Sequence, residues 1–398
     1  MAASRVGLWI IGARGGVAVT AIAGLVAQRL GLVDATGLTT ALPPLCDLPL
    51  PAWGDFRVGG HDIRQAPLAD ELARLHRDSR ILESQLVDAV APELAAIDRE
   101  IRPGILWKVG PRIEELADAP GQQPSTATAA IEQIQADLNA FIQRNELETA
   151  VVVNAASTEA LPPEDTWPAT AAELAEQIAA SDCPLPASTL YAAAALDLGL
   201  PYVNFTPSLG ALPRGVDELA RQRGTCYAGR DGKTGETLMK SVLAPMFAAR
   251  NLQVMSWVGH NIFGNLDGRV LDDPANKATK LKSKDALLGE ILGYAPQTHI
   301  SIEHIASLGD WKTAWDHIHF RGFLGVPMTL QFTWQGCDSA LAAPLLLDLA
   351  RLAIHARRRG EAGALTFLAS FFKSPAGDAP QGFGDQLRLL HQWALGAK

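Results

Sequence analysis

The N-terminal stretch restricts the fold more than any other. Val6–Ile11, VGLWII, is a short apolar run of the kind a strand shows when both its faces are buried. Gly12-Ala13-Arg14-Gly15-Gly16 follows, and Val17–Leu30, VAVTAIAGLVAQRL, reads as a helix of small apolar residues that packs closely on a sheet. Strand, glycine turn and helix in that order are the dinucleotide-binding arrangement. Glycines let a pyrophosphate approach the backbone, and its charge sits at the helix N-terminus. The spacing is not GxGxxG, so a tight strand-to-helix turn with no ligand is the competing reading. Asp34 and Asp47 are both open as the acidic residue for a ribose.

The pattern then repeats. Residues 41–67 read as a proline- and glycine-rich connection, followed by helical patterns at Leu68–Ser79 and Ile81–Asp98. Ala129–Asn145 is an amphipathic helix with Ile131, Ile134, Leu138, Phe141 and Ile142 on one side. Ala150–Asn154 is a second buried strand, running into Ala155–Glu159, AASTE. Small and hydroxylic residues beyond the carboxyl end of a parallel strand lie where open α/β sheets bind ligands. A helix N-cap by Ser157 or Thr158 explains them equally well. Further helices are expected at Ala171–Ala180, Ser188–Leu198 and Thr237–Arg250, and strands at Tyr202–Asn204 and Thr225–Ala228. Alternation of this kind predicts a mostly parallel sheet.

After Arg250 the pattern changes. Leu252–Val258, His299–Ile305 and Pro327–Trp334 read as strands, and the last alternates Met328, Leu330, Phe332 and Trp334 with Thr329, Gln331 and Thr333. That is a half-buried, antiparallel strand. Helices return at Ser339–Arg357 and Leu365–Phe372. The expected organisation is a dinucleotide-binding domain at 1–240, an inserted α+β domain at 241–336, and helices at 337–398 rejoining the first domain.

Between the first two of these strands lies GNLDGRVLDDPANKATKLKSK, Gly264–Lys284, with Lys277, Lys280, Lys282 and Lys284 close together. In a helix, Lys277, Lys280 and Lys284 share a face and repel. A chain of net charge -9 has no general need for such an island. It is either a solvated basic turn or a pocket for a phosphorylated substrate, in which crowding drives one lysine towards neutrality. The acidic balance argues against a nucleic-acid partner. Cys46, Cys183, Cys226 and Cys337 form no CxxC pair, which fits free thiols in a reducing compartment. No uncharged run is long enough to span a bilayer and the N-terminus shows no signal peptide, so a cytoplasmic protein without membrane partners is expected. His317 and His319 would share a strand face, but without cysteine partners they make a poor zinc site.

Several ordered motifs together resemble the inositol-3-phosphate synthase family, in its shorter prokaryotic branch. They are the glycine loop, GGHDI at Gly59–Ile63, ASTE at Ala156–Glu159, PYVNFTP at Pro201–Pro207 and AGRDGKTGET at Ala228–Thr237. LMKSVLAP at Leu238–Pro245, GNLDG at Gly264–Gly268, GDWKTAWD at Gly309–Asp316, CDSALAAP at Cys337–Pro344 and FFKSP at Phe371–Pro375 continue the series. Leu266 stands where the family has asparagine in GNNDG, and Arg230 stands for the first aspartate of GDD. The resemblance implies a Rossmann-like NAD-binding domain with an inserted α+β catalytic and tetramerisation domain. It implies conversion of D-glucose 6-phosphate to 1D-myo-inositol 3-phosphate by oxidation at C5, enolisation at C6, aldol closure on C1 and reduction. It implies catalytic Lys280, Lys284, Lys312 and Lys373, and Asp310, two residues before Lys312, is expected to orient it. It implies NAD contacts at Gly12, Gly15, Gly16, Asp62, Ala156, Thr158, Asp231 and Asp338. Asn265, Asp267 and Gly268, with Lys284 and Lys373, would bind substrate. A cation of unknown identity and a homotetramer are further implications. The alternatives are an NAD-dependent dehydrogenase of another sugar phosphate, and a non-catalytic NAD-binding sensor.

Overall fold

A computed structural model describes residues 5–118, 123–264 and 287–396. Its strands are β1 (Val6–Ile11), β2 (Phe56–Asp62), β3 (Ile101–Pro103), β4 (Thr149–Asn154), β5 (Tyr202–Asn204), β6 (Cys226–Gly229), β7 (Gln253–Phe263), β8 (Gln297–His304), β9 (Trp311–Arg321), β10 (Pro327–Cys337) and β11 (Gly363–Ala364). Seven form one sheet in the order β11-β6-β5-β4-β1-β2-β3, with every pairing parallel. The chain starts in the middle, builds outwards through β2 and β3, then returns to the other side of β1 with β4. That reversal is the switch point at which open α/β sheets bind ligands.

The apolar runs of β1 and β4 are buried on both faces, and alternate residues feed two cores. Leu8, Ile10, Val151 and Val153 join the layer containing the Gly16–Arg29 and Asp338–Arg358 helices. Trp9, Ile11 and Val152 join the layer of the Ala127–Arg144 and Ala187–Asp197 helices. Asp338–Arg358 is long and apolar enough to cross a membrane, yet 72% of its most apolar window is buried within the protein. Its apolarity is that of a core helix.

The stretch 41–67, read as a connection, contains β2 at the heart of the sheet. Its sequence, FRVGGHD, hides the strand because glycines and charges break the apolar run. The glycines are needed for packing. A Cβ at Gly59 would stand 2.9 Å from the Phe141 ring, and one at Gly60 would stand 2.2 Å from the Ile10 carbonyl oxygen. The short β3 was not visible in the sequence either. Leu365–Phe372, read as a helix, is a 3-10 helix at Thr366–Phe371 that follows β11. A further helix, Phe383–Ala394, was also missed.

The second sheet has the order β10-β9-β7-β8. Its β7–β8 pairing is parallel, whereas β7–β9 and β9–β10 are antiparallel. The Gly235–Ala249 helix covers one face through Ala244 and Phe247, packed with Val254, Trp257 and Ile318. The other face, carrying His299, His260, Trp315, His317 and Gln331, is exposed. All four cysteines are free thiols.

Candidate active site

The glycine turn closes over the switch point. Gly12 takes a positive φ of 78°, and its N–H donates to the His61 carbonyl at 2.8 Å. A Cβ at Gly12 would lie 2.6 Å from the Ala156 Cα, so the turn after β1 and the turn after β4 are in backbone contact. Gly15 is the N-cap of the Gly16–Arg29 helix and places no side chain over its end. The first-turn amides of a helix have no internal acceptor and face outward with the positive end of the dipole. Arg14, the charged residue of the turn, points away from that end. Its guanidinium binds the Ala66 carbonyl at 2.9 Å and Asp98 at 2.5 Å.

Asp62 ends β2 and joins two loops. Its Oδ2 accepts from the Arg14 N–H at 2.6 Å and its Oδ1 from the Arg64 N–H at 2.7 Å. Burial pushes its carboxyl above the usual range, against the pull of Arg64 and Arg14. It occupies the β2 terminus, where dinucleotide folds place their ribose-binding acid. Asp34 and Asp47 lie in the connection between the Gly16–Arg29 helix and β2 and are not among the residues lining the cavity. Glu159 follows β4, and both its oxygens face the Ser188 N–H at the start of the Ala187–Asp197 helix, at 3.0 and 3.3 Å. Burial raises its pKa to about 7.

These residues line a cavity of about 550 Å³. Its wall near β2 and β3 is apolar, with Ile63, Ile105, Val109 and Ile113. Its opposite wall carries Asn154, Ala156, Ser157 and Glu159, and its third side carries Gly309, Asp310 and Ser339. Thr158 is not among the lining residues although both its neighbours are.

Lys312 and Lys373 meet in a second, smaller pocket with Thr234, Glu236, Thr237, Asn261, Phe263 and Ile302. Lys312 projects from β9 over the Phe263 ring, 5.6 Å from its centre, and lies 4.0 Å from Asp338 Oδ1. Asp310 is not its partner. That buried carboxylate accepts from Cys337 Sγ at 2.7 Å and from the Ser339 N–H and Oγ at 2.8 and 2.9 Å. Asp231 and Asp338, expected at the cofactor, stand beside lysines and are not among the residues lining the larger cavity. The Lys373 ammonium is 2.8 Å from Asp231 Oδ1. Burial alone would lower the Lys373 pKa, but Asp231 outweighs it and the ammonium is held above the usual range. Lys280, Lys284, Asn265, Asp267 and Gly268 lie outside the described residues.

Glu236 and Lys240 were not singled out from the sequence. Both are buried, and Lys240 Nζ is 2.7 Å from Glu236 Oε1. The signal was present: a Glu–Lys pair at i,i+4 in a predominantly apolar helix, GETLMKSVLAPM. Among the described residues, no group of three or more His, Cys, Asp or Glu side chains is placed to hold a metal.

A parallel sheet in this order, with a glycine turn and an uncovered helix end at its switch point and a buried acid at the end of β2, defines a dinucleotide-binding α/β protein. The family is specific: residues 6–395 match the model of the myo-inositol-1-phosphate synthase family, an NAD-binding family, and the chain belongs to it. Inositol-3-phosphate synthase 1 of Bacteroides thetaiotaomicron is 33% identical over 95% of this chain and 91% of its own length. A myo-inositol-1-phosphate synthase-related protein from Thermotoga maritima superposes with a TM-score of 0.80 at 26% identity, over 98% of each chain. Inositol-3-phosphate synthase from Caenorhabditis elegans shares the fold, with a TM-score of 0.89 at 23% identity over 99% of this chain and 86% of that one. The glycine turn, the open helix end and buried Asp62 fit NAD, the cofactor of the family.

Proposed function

We propose that this chain catalyses the conversion of D-glucose 6-phosphate to 1D-myo-inositol 3-phosphate; its Bacteroides relative is named an inositol-3-phosphate synthase, which supports the product side of that reaction. The observation that carries the reading is the joining of two sites by one hairpin. Asp310 and Ser339 line the larger cavity, while Lys312, two residues past Asp310, lines the lysine pocket and lies 4.0 Å from Asp338, the neighbour of Ser339. Amino groups thus stand next to the place where a dinucleotide would end.

Gly12, Gly15, Gly16, Asp62 and Ala156 would hold NAD. Bound NAD supplies the oxidation that acidifies the neighbouring sugar carbon and the later reduction of the ring. Lys312 Nζ, with Lys280, takes and returns protons at the sugar hydroxyls and carries oxyanion duty. Lys373 stays an ammonium beside Asp231 and, with Lys284, neutralises the phosphate and the developing oxyanion. Asn265, Asp267 and Gly268 complete the substrate contacts. Asp231 and Asp338 serve the lysines rather than the cofactor.

The test is incubation of the protein with glucose 6-phosphate and NAD, followed by identification of the phosphorylated product. Inositol phosphate with no net NADH is expected. Steady NADH release with an acyclic product would mean a dehydrogenase.

The exposed face of the second sheet, with Trp315 43% exposed, supports assembly into a homotetramer through the central α+β unit, 241–336. Sedimentation at a single-chain mass of 42.4 kDa would refute that assembly. The free thiols support a cytoplasmic location, and recovery in a membrane fraction would contradict it.

A further inference from the structure

Lys240 has no place in the chemistry above, yet it is 1% exposed and lies directly behind the lysine pocket. A buried lysine is costly unless its charge is met. Its Nζ meets Glu236 Oε1 one helical turn earlier at 2.7 Å, and stands 5.8 Å from the centre of the Trp257 ring. Glu236 is a wall residue of the pocket that holds Lys312 and Lys373. Its other oxygen accepts from Asn261 Nδ2 at 2.7 Å, and Asn261 is a wall residue too. The Glu236 charge also acts on Lys373. On the side away from the helix, a Cβ at Gly259 would come 2.8 Å from Glu236 Oε1 and 3.2 Å from Asp316 Oδ1. The carboxylate is therefore held by charge from one side and fitted against a bare backbone on the other.

We propose that Lys240 is a positioning residue for the reaction: it holds Glu236 in the carboxylate form and in one orientation, so that Glu236 and Asn261 present fixed acceptors and donors to the sugar hydroxyls opposite Lys312 and Lys373. The inference rests on the proposed reading of the lysine pocket as the sugar-phosphate site. An isolated acid in this wall would take a proton at low pH, whereas a neighbouring ammonium favours its charged form.

The experiment compares wild type with Lys240→Met, Glu236→Gln/Lys240→Met and Gly259→Ala, measuring kcat and KM for glucose 6-phosphate from pH 6 to 9, NAD affinity, and Tm. In Lys240→Met, kcat is expected to fall roughly tenfold or more, with the acid limb of its pH profile moved upward and activity partly restored at high pH. The double variant loses that shift, because no carboxyl remains to titrate. Gly259→Ala retains every charge, and is expected to lower kcat at all pH values by pushing Glu236 aside. NAD affinity remains that of wild type throughout, since none of these residues lines the larger cavity. A Lys240→Met enzyme with an unmoved acid limb, or a loss equal at every pH, overturns the proposal. Should Lys240→Met not fold, wild-type kcat in Gly259→Ala overturns it. If wild type itself makes no inositol phosphate, the functional reading fails instead. The positioning claim is then read from Tm against pH: Lys240→Met should lose stability with rising pH where Glu236→Gln/Lys240→Met does not, and parallel curves sink it.

Discussion

The Lys373 ammonium sits 2.8 Å from the Asp231 carboxylate, and this contact reverses what burial would do to the lysine. Desolvation favours a neutral amine, and the carboxylate favours the charged one. The folded pKa is raised, so the stability from this pair is complete below the ordinary lysine value of about 10.4 and is lost as pH rises through the folded value. Between pH 6 and 9 Lys373 is therefore a fixed cation in the wild type. In Asp231→Asn burial prevails and the lysine loses its proton at lower pH. The kcat/KM profile for glucose 6-phosphate should then fall on its alkaline side roughly one pH unit or more before that of wild type. Superimposable profiles would show that the pair does not serve the reaction.

Lys312 is tied less firmly, with Asp338 at 4.0 Å and the Phe263 ring beneath it. Its truncation removes a proton-transfer group without opening the core. Lys312→Ala is expected to lower the rate of inositol phosphate formation by roughly 10²–10⁴-fold, with Tm and NAD affinity little changed. Near-normal turnover would remove Lys312 from the machinery.

At Gly12 two constraints coincide, a φ of 78° and the Ala156 Cα within 2.6 Å of any added Cβ. Gly12→Ala must separate the turns after β1 and β4, the walls of the cofactor cavity. Isothermal titration should show NAD binding weakened beyond tenfold or lost, and denaturant unfolding a cost of about 1–3 kcal/mol. Unchanged NAD affinity would place the pyrophosphate elsewhere.

Glu159 is expected to make NAD binding in the larger cavity pH-sensitive. Burial lifts its pKa to about 7, while the Ser188 N–H pulls it down. The native state holds this proton more tightly than the unfolded chain, so the stability it contributes is present below the ordinary carboxyl range and is lost as pH rises through about 7. Above that pH a carboxylate faces the cavity and opposes an anionic dinucleotide. NAD affinity should decline several-fold between pH 6 and pH 8, and Glu159→Gln should flatten the decline. A wild-type affinity independent of pH would show that this carboxyl does not face the cofactor.

Legibility followed continuity. β1, β4 and the Gly16–Arg29 helix were readable because apolar runs are bounded there by glycine or polar residues. β2 was not, because its glycines exist to make room for Phe141 and the β1 backbone, a tertiary reason invisible in a local pattern. The partners of the lysines were beyond reach for a similar cause. Strand pairing sets Lys312 opposite Gly336 and Trp311 opposite Cys337, which brings Asp338 near Lys312 and sends Asp310 towards Ser339. A shift of one residue along β9 would have exchanged those roles, and nothing in the sequence fixes that register. The Asp231–Lys373 pair joins segments widely separated in the chain and was likewise unreadable.

The β9–β10 hairpin has a consequence for how turnover is timed. Its two ends give Asp310 and Ser339 to the larger cavity, and beside them stand Lys312 of the lysine pocket and Asp338, 4.0 Å from its ammonium. The backbone ladder between them is a ruler whose length is set when the chain folds. If the lysine pocket holds the sugar, as proposed, cofactor and amino groups need not travel towards each other in each cycle, and an intermediate left by one step already lies within range of the next.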